Sequence, residues 1–448
     1  ATEGMRSDVM KQAELTILAL VPEAPDLASL AVGDIDGDGQ LEIVSGGGIV
    51  GTMAAPEVPR GGLYWFRPAT RERGLIARGN FNVGIALEDL DGDGIPEVVT
   101  GTHTPPRRIF WFKRPPGGGE GWPAYDIDPD LPGNGCHDMR FVDLDGDGVR
   151  ELVANDIEAG LYIYRPGEDV TRPWQRHVVQ SGCHEEGLAC ADVDGDGRLE
   201  ILSGPRLYVQ PAGGPFAGPW VRMDLAPSFR EMCRCLLIDV NGDGLPEPVM
   251  VESEYMDGRW AWFERTVGTG GRVEWIPHLI GSGYVFAHSL WGQRDEAQGK
   301  VRLFLAEMAE GGWAAPHNPS ARLVQAESGD GGRTWNHTLL YQGEGTHEAT
   351  VVDDVDVHAD RPTARRDGDR VAYEVRDRAL DERRVDPERR QVRRALDVDL
   401  HAALVRDGQL SLDGRTDDPF DVTSGFPLHG KPRADTRHVE EGFDDPDF

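Results

Sequence analysis

Residues Asp34–Glu42 read DIDGDGQLE, and the pattern returns four times. The later copies are Asp89–Glu97 (DLDGDGIPE), Asp143–Glu151 (DLDGDGVRE), Asp192–Glu200 (DVDGDGRLE) and Asp239–Glu247 (DVNGDGLPE). Successive copies begin 55, 54, 49 and 47 residues apart. A recurring period near that length marks a chain built from repeated supersecondary units.

One copy explains its own chemistry. Acids at positions 1, 3 and 5 aim alternate oxygens at a common centre. Glycine at position 6 permits the tight turn, position 7 can offer its carbonyl, and the acid at position 9 closes the cage. Carboxylate-rich, all-oxygen ligation suits a hard cation, and Ca²⁺ best. Without an ion, four carboxylates in nine residues repel. The first half matches an EF-hand loop, but no acid recurs at position 12. The flanks also differ: LEIVSG, PEVVTG, RELVAN, LEILSG and PEPVMV read as strands, not helices.

Between loops the chain repeats four short strands, A to D. Strand A leads into the loop and strand B leaves it. Strand C is aromatic, as in GLYWFRP from Gly62, RIFWFKRP from Arg108 and GLYIYRP from Gly160. Strand D often begins with Trp, at Trp174, Trp220, Trp275 and Trp335. Gly and Pro clusters punctuate the joins. Four antiparallel strands repeated radially make an all-β fold, the β-propeller.

Blades one to five carry the five loops. Blade six runs from about Phe286 to Leu340, with the cage-free A–B turn WGQRDEAQGK. A seventh blade is expected from His347 (HEATVVDD), its outer strand supplied by ELTILALV from Glu14. Pairing the two chain ends in one blade closes the ring and removes an exposed edge. The expected organisation is therefore a seven-bladed propeller, with blades one to six and the start of blade seven over 1–360 and a charged tail over 361–448. The tail is Arg- and Asp-rich and nearly free of aromatics, and reads as a degenerate blade, a helix broken at Pro387 or disorder.

The loops resemble the FG-GAP/VCBS repeat family, which includes the calcium-loop blades of integrin α-subunit propellers. The likeness covers about residues 14–356. It implies Ca²⁺ ligation by Asp34, Asp36, Asp38 and Glu42, and by Asp89, Asp91, Asp93 and Glu97. It implies the same for Asp143, Asp145, Asp147 and Glu151, and for Asp192, Asp194, Asp196 and Glu200. In the fifth loop Asn241 replaces one acid beside Asp239, Asp243 and Glu247, so that site should be weaker. About five Ca²⁺ are expected, stiffening blades rather than reacting. Ser328–Trp335 (SGDGGRTW) resembles the Asp-box hairpin of sialidase-type propellers and is read as fold evidence.

The formal net charge is −32, from 46 basic and 78 acidic residues. Nineteen of those acids lie in the five loops, so five Ca²⁺ would offset about ten charges. The remainder still disfavours nucleic acid and anionic membranes. Only four basic residues are Lys, which fits either a GC-rich genome or a high-salt habitat. No run is long and apolar enough to span a membrane. The chain begins at Ala rather than Met, which fits a removed leader. Weak calcium loops also suit millimolar extracellular Ca²⁺, so a secreted or periplasmic location is expected. Five cysteines do not make a disulfide scaffold, because an odd count leaves a thiol over.

Strand order fixes two faces. The calcium loops and C–D turns share one, while D–A and B–C connections lie on the other. His103, His137, His184, His288, His317 and His347 all fall on the second face. His177, His278 and His337 follow the strand-D Trp, a repeated structural position. His137, His184, His288 and His347 begin strand A, the innermost strand, and Arg230 is read as their counterpart in blade five. Asp138, Glu185, Glu186, Glu231, Glu254, Tyr255 and Glu348 accompany them.

This face admits a binding surface for glycan or protein, an active site, or unrelated polar loops. As an enzyme it would suit β-elimination, as in polysaccharide lyases and the propeller domain of aldos-2-ulose dehydratase. In that reading His137, His184, His288, His347 or Tyr255 moves the proton and Arg230 steadies the enolate. A variant holds a transition metal with His137, His184 and an acid, with Cys136 and Cys183 nearby. These are fold-level analogies, and loops on a rigid scaffold carry function whichever applies.

Overall fold

The computed structural model describes residues 27–47, 61–81, 84–103, 105–267, 273–308, 318–343, 345–346 and 348–351, and short strands at 11–12, 17–18, 372–373 and 402–405. It is an all-β propeller, with no helix among the described residues. Two compact units are Ala1–Leu410 and Ser411–Phe448. The second, the segment around Pro387, and His317 and His347 lie outside the described residues.

Six blades each contain four antiparallel strands in chain order. Blade one is Leu27–Gly33, Glu42–Gly47, Gly62–Phe66 and Arg73–Arg78. Blade two is Ile85–Glu88, Glu97–Gly101, Ile109–Phe112 and Ala124–Asp128. Blade three is Cys136–Val142, Glu151–Asp156, Gly160–Arg165 and Gln175–Ser181. Blade four is Leu188–Ala191, Glu200–Ser203, Arg206–Val209 and Val221–Asp224. Blade five is Cys233–Ile238, Glu247–Glu252, Gly258–Val267 and Val273–Tyr284. Blade six is Ala287–Asp295, Lys300–Glu307, Ala321–Ser328 and Asn336–Gly343, and Lys11–Gln12 adds to its outer edge in parallel.

The expectation of seven blades is corrected to six. Past blade six lies a sheet of four short strands, ordered Ile17–Leu18, Ala372–Tyr373, Ala402–Val405, Glu348–Val351. Two of its strands have only two residues. The Arg- and Asp-rich tail offers one apolar run of four residues, Ala402–Val405, where a full blade needs several.

Apolar residues hold the blades face to face. Strand B is buried throughout its length in blades one to five, which explains its continuous apolar run. Each core lies between consecutive blades. One joins blades one and two through Ile35, Leu63, Ile76, Phe81, Phe110 and Trp122. The next joins two and three through Trp111, Phe141, Tyr164 and Trp174. The Trp opening strand D stitches to the preceding blade: the backbone N–H of Trp122 donates to Ile76 O at 3.1 Å and that of Trp174 to Ile127 O at 2.9 Å. The strand-D histidines sit at matching register, and His278 stacks on Trp262 at 4.4 Å.

The Asp-box hairpin is built as its sequence implies. Asp330 accepts from the Thr334 N–H at 3.0 Å and hydroxyl at 2.6 Å. Trp262 of blade five donates to Gly332 O at 3.0 Å, so the motif ties two blades together.

Candidate functional site

Five DxDGDG loops stand at the A–B turns, and blade three shows their construction. The Asp143 carboxylate accepts backbone N–H groups from Gly146 at 2.7 Å, Asp147 at 3.1 Å and Gly148 at 2.9 Å. Gly146 and Gly148 adopt φ of 74° and 88°, which side chains resist, so positions 4 and 6 both need glycine. Glu151 is buried and accepts the Leu144 N–H at 3.1 Å. The other loops repeat this bond, with Glu42, Glu97, Glu200 and Glu247 accepting from Ile35, Leu90, Val193 and Val240.

The second oxygen of that Glu differs between blades. In blade one it accepts Arg67 Nε at 2.6 Å, and Arg67 also contacts Asp36 and Asp38. In blade two Lys113 reaches Glu97 at 3.2 Å, Asp93 at 2.8 Å and Asp91. In blade three Arg165 reaches Glu151 at 2.9 Å, Asp145 at 3.1 Å and Asp147. These basic residues end strand C. The strand register puts Val209 there in blade four and Glu264 in blade five. Arg198 pairs with Asp196, while Glu200 Oε1 is buried with no hydrogen-bond partner among the described residues. In blade five Asn241 donates to Glu247 at 2.5 Å.

The residues present fit a hard cation. Ligand oxygens of Asp34, Asp36 and Glu42 lie within 4.8 Å of one another, as do those of Asp89, Asp91 and Glu97, of Asp143, Asp145 and Glu151, and of Asp192, Asp194 and Asp196. Burial pushes Glu200 and Glu247 up to about 7.

The opposite end of strand A holds a different cluster. Cys136, Cys233 and Ala287 pair with Asp156, Glu252 and Glu307, the last residues of their strands B. Arg234 then pairs directly with Val251, as Asp138 does with Asn155, whereas His137 and His288 fall at a register shift and share one position in blades three and six. In blade four Leu188 pairs with Ser203, and Glu186, two residues earlier, is bridged to Met232. The structure corrects the reading of Arg230, which precedes strand A of blade five and does not join the histidines. Arg234 is identified by its contacts in the folded ring. Arg230 instead donates to Glu252 and Asp257, at 2.8 and 2.7 Å, and lies over the Tyr255 ring at 3.8 Å.

His137 and His288, three blades apart, bring their ring centroids to 5.3 Å. His137 Nδ1 lies 3.1 Å from Asp138 Oδ2 and His288 Nδ1 lies 3.5 Å from Glu348 Oε1. His137 Nε2 lies 3.9 Å from Glu186 Oε1, and His288 Nε2 lies 3.7 Å from Glu254 Oε1. Arg234 bridges Asp138 at 2.9 Å and Glu348 at 3.5 Å, and its Nη1 lies 3.2 Å from His137 Nδ1. Gly187 N–H also donates to Asp138, at 2.9 Å.

Burial alone would lower the His137 pKa, but Glu186 and Asp138 outweigh it and raise it to about 9. Burial would raise Asp138, yet Arg234 and His137 hold it far below the usual carboxylate range. Burial pushes Glu186 up to about 7. His103 is half-buried beside Arg107 and His137, and burial and those neighbours lower its pKa. His184 is exposed and does not join the cluster. Cys136 and Cys183 are buried and free, and burial pushes their thiols up, to about 12 for Cys183.

Residues 89–154 and 143–203 match the FG-GAP-like repeat family. No curated protein matches the chain. Among solved structures it is similar to the V. cholerae biofilm matrix protein Bap1, at 12% identity, covering 90% of this chain and 70% of that one, with a TM-score of 0.33. It is also similar to YCF48 from Cyanidioschyzon merolae, at 12% identity, covering 88% of this chain and 99% of that one, with a TM-score of 0.45. Residues 89–203 thus carry two overlapping FG-GAP-like repeats, set in a β-propeller.

Proposed function

We propose that this propeller is stiffened by calcium and binds a glycan through the face opposite its calcium loops, outside the cytoplasm. Ca²⁺ in each loop would neutralise carboxylates that otherwise repel, and would lock the A–B turn to strand B. Arg67, Lys113 and Arg165 supply part of that charge internally, so the loop of blade four gains most from the ion. Pairing of Ile17–Leu18 with Ala372–Tyr373 fits closure of the ring through the N-terminal segment.

One observation carries the binding reading: His137, Glu186, Arg234 and His288, from four successive blades, converge at one end of strand A. The lining is charged and hydrogen-bonding, which suits a ligand rich in hydroxyls rather than an apolar one. No observation favours β-elimination.

The test is a glycan array probed with the full chain in Ca²⁺, beside His137→Gln. Saturable retention that the substitution abolishes supports the reading. Equal retention by both proteins, or none, removes it.

A further inference from the structure

The axial cluster has the composition of a metal site of a kind unlike the calcium loops. His137, Glu186 and His288 each offer one ligand atom, and these atoms all lie within 4.8 Å of one another. His288 is 0% exposed and Glu186 is 2% exposed. Glu186 Oε2 is buried with no hydrogen-bond partner among the described residues, an expensive state for a carboxylate oxygen.

The surroundings have the right supports. Each imidazole has a carboxylate near its Nδ1, Asp138 for His137 and Glu348 for His288. Such a carboxylate fixes the tautomer and leaves Nε2 to ligate. The charged groups facing the cluster are Asp138, Glu254, Glu348 and Arg234, with Glu186 inside it. Among the described residues, four carboxylates against one guanidinium leave an excess of negative charge that a divalent cation would offset. Three ligands at about 2.1 Å from a tetrahedral centre lie about 3.4 Å apart. The His137 Nε2 to Glu186 Oε1 distance of 3.9 Å is close to that, so side-chain adjustment suffices.

We propose that His137, Glu186 and His288 bind one divalent transition metal, of the Zn²⁺ class, at the end of the channel opposite the DxDGDG loops. Two imidazoles and one carboxylate select such a metal over Ca²⁺, which takes six to eight oxygens. Three protein ligands leave a coordination position for water or a ligand oxygen. The proposal depends neither on calcium occupancy nor on a glycan.

The experiment titrates Co²⁺, a coloured stand-in for Zn²⁺, into chelator-treated full chain with Ca²⁺ in excess to fill the loops. One equivalent should produce visible d–d bands without sulfur-to-metal charge transfer, and Zn²⁺ should bleach them. The bands should vanish in Glu186→Gln and His137→Gln, both checked for an unchanged fold by circular dichroism. His184→Ala, at an exposed position, should keep them. Absence of saturable bands in the parent, or bands that survive in both ligand variants, overturns the site.

Discussion

Arg165 Nη1 donates to Glu151 Oε1 at 2.9 Å, so strand C places a guanidinium inside the acidic loop of its own blade. The guanidinium offsets part of the charge that calcium would neutralise. Arg165→Gln should therefore lower the melting temperature without calcium. It should also tighten calcium binding to that loop by about tenfold, the effect of removing one nearby like charge. Calorimetric titration of both proteins checks this, and unchanged affinity would show that the guanidinium does not compete.

Blade four predicts a pH signature. Burial holds Glu200 at about 7 in the folded chain, and Glu247 likewise. Their folded pKa values lie above the unfolded ones. Without calcium, their contribution to stability is full below the ordinary carboxylate range and is lost as pH rises through about 7. Calcium favours the ionised form. The melting-temperature gain from calcium should widen from about pH 5 to about pH 8. Scanning calorimetry with calcium or a chelator measures it, and a constant gain would contradict the assignment.

Glu252 closes strand B of blade five from a fully buried position, 0% exposed. It accepts the backbone N–H of Arg230 at 3.0 Å and of Arg259 at 3.1 Å, and pairs with both guanidinium groups. Glu252→Gln weakens the bonds to two partly exposed guanidinium groups and should destabilise by about 1–2 kcal/mol. Burial would raise the Glu252 pKa, but Arg259 and Arg230 lower it to about 2. This contribution is present above the ordinary carboxylate range and is lost as pH falls toward about 2. Urea unfolding of the variant should show the loss at neutral pH and converge with the parent in acid.

Asp138 predicts the state of its neighbour. With Asp138→Asn, His137 loses one of the two carboxylates that hold it at about 9, and its pKa should fall. Imidazole resonances tracked through a pH titration give the value directly. An unchanged midpoint would mean that Glu186 alone governs the proton.

The loops and blades were legible because their signals are local. Acid spacing, paired glycines and a buried apolar strand recur within each repeat. The cages' internal cations were less visible, since Arg67, Lys113 and Arg165 read as the ends of aromatic strands. The axial cluster depends on register across four blades. His137 and His288 open obvious strands, but Arg234, which pairs with Val251, is brought beside them only by the folded ring. His184 looked equivalent to His137, yet Glu186, two residues on, takes the inner position. The blade count failed where composition stops encoding strands, after about Arg361.

The most direct test titrates Ca²⁺ into chelator-treated full chain by calorimetry, with melting measured in parallel. Binding at several sites, a raised melting temperature, and loss of the tightest site in Asp194→Asn are predicted. No heat of binding and an unmoved melting curve would contradict the calcium account.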